Sequence, residues 1–109
     1  MSSVDLTIVI PALNESSIIL DNIDELSEWL KQQQPNISYE ILVIDDGSTD
    51  GMGELLDEAS TSREWLKVVH HSRNIGRGRG VRSGFESSVG RYIICLDADL
   101  SYSPEHIPL

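Results

Sequence analysis

Two aspartates separated by one residue, Asp97 and Asp99, follow directly after the apolar run 92–96. If that run is a β-strand, its alternation points both carboxylates to one side, at the end where the chain leaves the sheet. Such a pair could hold a divalent cation, because Mg²⁺ and Mn²⁺ prefer oxygen ligands and often bind one or two carboxylates together with substrate phosphates. The alternative is an ordinary loop that begins with Asp-x-Asp.

Two other short apolar runs also end in polar or turn-forming residues. The run 7–10 is followed by residues 11–15 (PALNE), and the run 41–44 by residues 45–48 (DDGS). Ligands of open parallel sheets bind outside the carboxyl ends of the strands. The pattern therefore predicts a site built from three strand ends, although turn and capping chemistry would account for each segment taken alone.

The glycine- and arginine-rich segment 74–84 could present backbone N–H and guanidinium groups to phosphate oxygens near the start of a helix. It does not match the dinucleotide-binding fingerprint, because Val81 or Ser83 stands where the final glycine would be. No Gly-Lys-Ser or Gly-Lys-Thr of a Walker-type phosphate loop occurs in the sequence. A turn with solvated arginines is the alternative.

Strand-like and helix-like segments alternate along the chain. Strands are predicted at 7–10, 41–44, 65–69 and 92–96, with helices at about 16–33, after Asp50, and between about 78 and 90. This order favours the α/β class, with a mainly parallel, Rossmann-like sheet flanked by helices. His70 and His71 are adjacent on the third strand and point to opposite faces, which argues against a shared metal site.

The composition is that of one globular domain of 109 residues with a net charge of -10. This acidic total argues against general nucleic-acid binding, because a phosphate backbone needs a broad basic face. The five arginines between residues 73 and 91 form a local basic segment that suits a small anion. No apolar stretch reaches the roughly 18 residues of a membrane span and no signal peptide is recognisable, so we expect a cytoplasmic protein.

Four segments in order resemble the family 2 glycosyltransferases: 7–15 (TIVIPALNE), 40–50 (EILVIDDGSTD), 74–84 (NIGRGRGVRSG) and 97–100 (DADL). Within that family the chain looks most like the polyprenyl-phosphate (dolichyl-phosphate) sugar transferases. The resemblance implies a GT-A fold, a UDP- or GDP-sugar as donor, Mg²⁺ or Mn²⁺ as cofactor, and inversion at the anomeric carbon.

The resemblance also assigns roles to individual residues. It implies that the nucleotide pocket contains Pro11, Ala12, Asn14 and Glu15. It implies that Asp45, with Asp46 beside it, contacts the base or ribose. It also implies that Arg77 and Asp97-Ala98-Asp99 lie at the diphosphate, where Asp97 and Asp99 hold the metal. Two departures are present. Arg77 replaces a frequent lysine and keeps its charge, whereas Ser101 replaces a glutamine often found in the mannose type, which weakens the expectation of a third metal ligand and of mannose.

We therefore expect residues 1–109 to form the nucleotide-diphosphate-sugar-binding part of such an enzyme. The general base and the acceptor-binding half would follow Leu109, and the acceptor would be a polyprenyl phosphate met at the membrane face. Two alternatives remain at this point. One is a non-catalytic module that binds a nucleotide or a partner, and the other is a nucleotidyltransferase, which accounts less well for the four ordered motifs. The oligomeric state is not predicted.

Overall fold

Four parallel strands form a single sheet in the computed structural model, which describes residues 4–71 and 90–96. The elements alternate along the chain: β1 (Val4–Ala12), α1 (Ile19–Gln33), β2 (Tyr39–Asp46), α2 (Met52–Ser60), β3 (Leu66–His71) and β4 (Gly90–Cys95). The α/β class predicted from the alternating pattern is confirmed. The predicted helix between residues 78 and 90 lies outside the described residues.

The strand order is β3-β2-β1-β4, with every neighbouring pair parallel. The chain builds the sheet outward from β1 to β3 and then returns to add β4 on the other side of β1. This reversal makes the gap between the carboxyl ends of β1 and β4 a topological switch point, the place where open α/β sheets bind their ligands.

The first two strands are longer than the sequence indicated. Pro11 and Ala12 are buried members of β1 and pair with Ile44 and Asp45, so the strand does not end at Ile10. Because these residues of β1 have partners on β2, the strand pairing continues through a segment whose sequence alone suggested a turn. The polar ends of the strands therefore belong to the sheet itself.

Helix α1 begins at Ile19, three residues later than predicted. Residues before it form a turn, in which the carbonyl of Glu15 accepts hydrogen bonds from the amides of Ile18 and Ile19. The four apolar residues predicted to face the core do so, and all are buried: Ile19, Ile23, Leu26 and Leu30. The 3.6-residue period thus identified the correct face of the helix.

The two faces of the sheet carry different clusters. One cluster packs alternate residues of the strands, including Ile8, Ile41 and Val43, against α1 and α2. The other contains Val9, Leu42 and Ile44, with Val69 and Ile93 against them. Because successive side chains alternate, Asp45 shares a face with Val43, and Asp46 shares a face with Ile44.

Arg63, in the connection between α2 and β3, forms an ion pair with Asp24 of α1. Its Nε and Nη2 donate to the two carboxylate oxygens of Asp24, at 2.7 and 2.8 Å. The sequence pattern did not indicate this bidentate pair, since its members are 39 positions apart. No helix in the described part of the chain is long and apolar enough to cross a membrane.

Candidate functional site

The carboxyl edge of the sheet brings polar side chains from neighbouring strands into adjacent rows. Asp45 at the end of β2 pairs in register with Ala12 of β1 on one side and His70 of β3 on the other. The next row pairs Asp46 with His71. Each aspartate at this edge therefore has a histidine beside it on the same face.

Asp45 is a buried carboxylate with hydrogen bonds at both oxygens. Oδ1 accepts the amide N–H of Ser48 at 3.0 Å, which closes the turn after β2. Oδ2 accepts from Nδ1 of His70 at 3.0 Å. Gly53, in the first turn of α2, makes room for this group, because a Cβ at that position would lie 2.8 Å from Oδ2.

His70 contacts a second carboxylate through its other ring nitrogen. Nε2 lies 2.8 Å from Oδ1 of Asp57, one and a half turns into α2. The hydrogen bond to Asp57 is the main reason that the pKa of His70 is raised above its usual value, with the bond to Asp45 adding to it and burial opposing it. The histidine thus links the ends of β2 and β3 to α2.

On the opposite face, Nδ1 of His71 lies 3.1 Å from Oδ1 of Asp46. Both side chains are largely covered, with 14% and 9% of their surface exposed. The prediction that the two histidines point to opposite faces is borne out by this geometry. Among the described residues, no group of three or more His, Cys, Asp or Glu side chains could hold a metal ion.

The loops after β1 and β2 are joined by hydrogen bonds. Asn14 adopts a left-handed conformation with φ of 54°, its amide donates to Oγ of Ser48 at 2.9 Å, and its Oδ1 accepts from the amide of Thr49 at 2.8 Å. Asparagine is one of the few non-glycine residues that adopt this conformation readily. The two loops are therefore one connected unit beside the switch point.

Asp50 extends this connection to both helices. Its Oδ2 accepts the amide of Ser16 at 3.0 Å, and its Oδ1 accepts the amide of Met52, the first residue of α2, at 3.1 Å. The hydrogen bonds from Ser16 are the main reason that the pKa of Asp50 is lowered. The N-cap of α2 is Gly51, so Asp50 lies one residue before the cap and joins the first amide of the helix to the loop after β1.

Comparison with protein families assigns the chain to a known family. Residues 7–109 match the family described as Glycosyl transferase family 2. The chain belongs to this family. The predicted fold class, the Rossmann-like half of a GT-A fold, and the family resemblance are both confirmed.

Curated relatives within family 2 include lipid-phosphate sugar transferases. An undecaprenyl-phosphate 4-deoxy-4-formamido-L-arabinose transferase of Aeromonas hydrophila is 38% identical over 103 residues, which cover 94% of this chain and 31% of that protein. A dolichyl-phosphate beta-glucosyltransferase of Trichomonas vaginalis is 33% identical over 101 residues, which cover 90% of this chain and 30% of the relative. The chain thus spans about a third of the length of these relatives.

Solved structures of glycosyltransferases have the same fold. A mannosyltransferase from Pyrobaculum calidifontis, in complex with GDP-Man and Mn²⁺, superposes with a TM-score of 0.76 at 23% identity, over 90% of this chain and 28% of that one. S. aureus TarS 1-349 in complex with UDP-GlcNAc gives a TM-score of 0.72 at 25% identity, over 87% and 26% respectively. The fold of this chain is therefore shared with a part of these longer chains.

The predicted site residues of this family 2 chain fall into three groups. Pro11 and Ala12 are buried in β1, while Asn14 and Glu15 follow it in the loop. Asp45 and Asp46 lie together at the end of β2, on opposite faces. The remaining predicted residues lie outside the described residues: Arg77, Asp97, Ala98 and Asp99.

Sequence reasoning missed the contribution of two residues to this edge. From the sequence, His70 was considered only together with His71, as a shared metal site that the alternation of the strand argues against, and Asp57 was given no role. In the structure Asp57 is exposed yet bonded to His70. The available signal was that Asp45 and His70 end neighbouring parallel strands, which places them in one row once the register is known.

Proposed function

We propose that this chain is the donor-binding part of a metal-dependent, inverting glycosyltransferase that moves a sugar from a UDP- or GDP-sugar to a polyprenyl phosphate. The observation that carries the proposal is the joined pair of loops beside the β1–β4 switch point, with Asp45 and Asp46 at the adjacent strand end, in a chain that belongs to family 2. Residues 1–109 are then a nucleotide-diphosphate-sugar-binding domain.

The nucleoside would bind against the end of β1 and the two loops. Pro11 and Ala12 are buried and form a fixed wall, whereas Asn14 is exposed and Glu15 half-buried. Carboxylates at the end of β2 are acceptors for the N–H groups of a base or the hydroxyls of a ribose. Both carboxylate oxygens of Asp45 accept hydrogen bonds from within the protein. We therefore propose that Asp45, beside Asp46, fixes the shape of the nucleoside pocket.

The diphosphate would bind on the β4 side of the switch point, where Asp97 and Asp99 follow the strand. Leu96, the last described residue before them, is buried, and its amide donates to the carbonyl of Val9 at 3.0 Å. Two carboxylates alone would repel a diphosphate by about 4 kcal/mol per charge pair at 4 Å and an effective dielectric constant near 20. Both aspartates have the oxygen ligands that Mg²⁺ and Mn²⁺ prefer.

When bound, such an ion neutralises the diphosphate and stabilises it as a leaving group. Arg77 would add a second positive charge at the same end of the donor. The mannosyltransferase that shares the fold was solved with GDP-Man and Mn²⁺, and TarS with UDP-GlcNAc. The molecules bound in those two structures support a nucleotide sugar as the donor and a divalent ion as the cofactor of this chain.

The acceptor would be a polyprenyl phosphate. The named activities of the relatives transfer sugars to undecaprenyl phosphate or dolichyl phosphate. Because those proteins are about three times as long as this chain, we assign the general base and the acceptor-binding residues to the part of the relatives that this chain does not match. A cytoplasmic protein that works peripherally at the membrane face would meet both the soluble donor and the lipid acceptor.

Calorimetric titration with UDP and GDP, each with and without Mn²⁺, tests the proposal. We expect one of the two to bind, and to bind more tightly when Mn²⁺ is present. Circular dichroism on the same sample establishes that the protein is folded. A folded protein that binds neither nucleotide in the presence of Mn²⁺ would refute the proposed site.

A further inference from the structure

His70 has a carboxylate oxygen at each of its two ring nitrogens. Nδ1 lies 3.0 Å from Oδ2 of Asp45, and Nε2 lies 2.8 Å from Oδ1 of Asp57. An ionised carboxylate only accepts hydrogen bonds, so both ring nitrogens must donate. With both carboxylates ionised, this geometry fits the imidazolium form, in which both nitrogens carry a proton.

A chain of contacts leads from this imidazolium to the loop after β1. Asp45, held by His70 through Oδ2, holds the amide of Ser48 through Oδ1. Oγ of Ser48 in turn accepts the amide of Asn14 at 2.9 Å. The position of the loop after β1 therefore depends on where His70 holds the carboxylate of Asp45.

Resting on the donor-binding function proposed above, we infer that His70 is a positioning residue for the nucleotide: its imidazolium form holds Asp45, and through it the joined loops, in the conformation that accepts the nucleoside. His70 does not itself touch the nucleotide in this arrangement. It acts through Asp45 and Ser48, and Asp57 keeps it protonated.

The elements packed around the ring contribute two charged groups that face it, Asp45 from β2 and Asp57 from α2. These carboxylates raise the pKa of His70. The other acidic and basic side chains of β2, α2 and β3 point to the opposite face of the sheet or into solvent: Glu40, Asp46, Glu54, Glu58, Lys67 and His71. Loss of the second proton would leave one N–H for two carboxylates and release one of them.

Two substitutions separate the two hydrogen bonds. The amide nitrogen of asparagine occupies the place of Nδ1, so His70→Asn retains a donor for Asp45. The amide nitrogen of glutamine occupies the place of Nε2, so His70→Gln retains a donor for Asp57 only. We expect His70→Gln to bind UDP or GDP with Mn²⁺ about three- to tenfold more weakly than wild type at pH 6, as expected for one lost hydrogen bond, and His70→Asn to bind like wild type.

The pH dependence gives a readout that a merely structural role would not change. Wild-type affinity should fall as the pH rises through the pKa of His70, whereas His70→Asn should lack this component. The ratio of the two dissociation constants cancels the titration of the nucleotide itself. Asp57→Asn should move the fall to lower pH, and Glu58→Gln, the same charge change at the next position of α2, should leave it in place.

The outcomes distinguish this inference from the proposed function. If folded wild-type protein binds neither nucleotide, both are overturned together. If wild type binds but His70→Gln and His70→Asn bind equally well, or the ratio does not vary with pH, only the role of His70 is overturned. All affinities are measured at a temperature where thermal unfolding shows each variant to be folded, so that a loss of stability is not counted as a loss of binding.

Discussion

The carboxylate of Asp45, at the carboxyl edge of the sheet, is held in place on all sides. The residue is 5% exposed, both oxygens accept hydrogen bonds, and the backbone of Gly53 approaches one of them closely. A helical glycine normally costs about 1 kcal/mol relative to alanine. At this position the absence of a Cβ is instead a requirement of the neighbouring carboxylate.

Gly53→Ala should therefore destabilise the protein. The new Cβ would lie 2.8 Å from Oδ2 of Asp45, and the carboxylate cannot move away without weakening its bonds to Ser48 and His70. Overpacking of this kind costs about 1–3 kcal/mol, which exceeds the gain in helix propensity. Urea unfolding measures the change in free energy.

The sign of the same substitution should reverse when the carboxylate is absent. In an Asp45→Ala background the added methyl group meets no oxygen, so Gly53→Ala should stabilise the protein by about 0.5–1 kcal/mol, the ordinary difference between glycine and alanine in a helix. Equal destabilisation in both backgrounds would show that the contact with Asp45 is not the cause.

The metal role proposed for Asp99 gives a second prediction at the scale of one residue. Asp99→Asn removes a negative ligand from the proposed ion, so it should weaken Mn²⁺-dependent binding of UDP or GDP by at least about tenfold, while binding of the metal-free nucleoside changes little. Calorimetry with nucleoside and nucleotide measures both. Glu28→Gln, the same type of charge change on the exposed face of α1, is the matched control, and equal weakening of both ligands by Asp99→Asn would contradict the metal role.

The individual site residues were predictable to different degrees. Asp45 and Asp46 follow a run of four apolar residues, and this placement, together with the polar ends of the two other runs, indicated a strand end at a binding edge. The different hydrogen-bond partners of Asp45 and Asp46 were not predictable, because they depend on the register between β2 and β3. His70 and Asp57 are 13 positions apart, and only the packing of α2 on the sheet brings them together.

Between elements, the loops after β1 and β2 are held by short side-chain bonds rather than by an apolar core. Asn14 contributes both the left-handed backbone and the acceptor for Thr49. Ser16 and Asp50 form the neighbouring contact. The sequence suggested turn chemistry for both loops. It did not indicate that the polar groups of one loop hydrogen-bond to those of the other, since the partners are 34 or 35 positions apart.

Substitutions of Asn14 should separate its two contributions. Asn14→Gly loses only the side-chain hydrogen bond and should cost about 0.5–1.5 kcal/mol. Asn14→Ala loses the same bond and, unlike the glycine variant, keeps a Cβ in the left-handed region without the polar side chain that lets asparagine adopt it, which makes it about 1–2 kcal/mol less stable than Asn14→Gly. Thermal or urea unfolding of both variants tests the order, and an alanine variant as stable as the glycine variant would contradict the role of the backbone conformation.

Element boundaries differed from prediction mainly where long-range pairing decides them. β1 continues through Pro11 and Ala12 because β2 offers partners for both residues. Conversely, α1 begins only at Ile19, since the preceding amides are used in the turn and in the contact with Asp50. Local periodicity located each described element, but the ends depend on neighbours that the sequence does not identify.

In the molecule as a whole, we expect substitutions in the core to change stability without changing the site. Ile41 is completely buried in the middle of the sheet and lies four residues before Asp45, about 13 Å along the strand. Ile41→Ala should lower the free energy of unfolding by about 2–5 kcal/mol, while the folded fraction binds nucleotide within about twofold of wild type. Urea unfolding and calorimetry at low temperature measure the two effects, and a proportional loss of affinity would show that core and site are coupled.

The strand order also has a consequence for the folding of this chain during translation. The unit from β1 to β3 is synthesised first and makes sequential contacts, whereas β4 must pair with β1, the first strand made. At roughly 5–20 residues per second, the ribosome needs on the order of one to several seconds between β3 and the end of β4. During that interval the unpaired edge of β1 is exposed on the nascent chain, which is a site for wrong strand pairing or for chaperone binding. The strand beside the proposed diphosphate site, β4, is consequently the last of the four described strands to join the sheet.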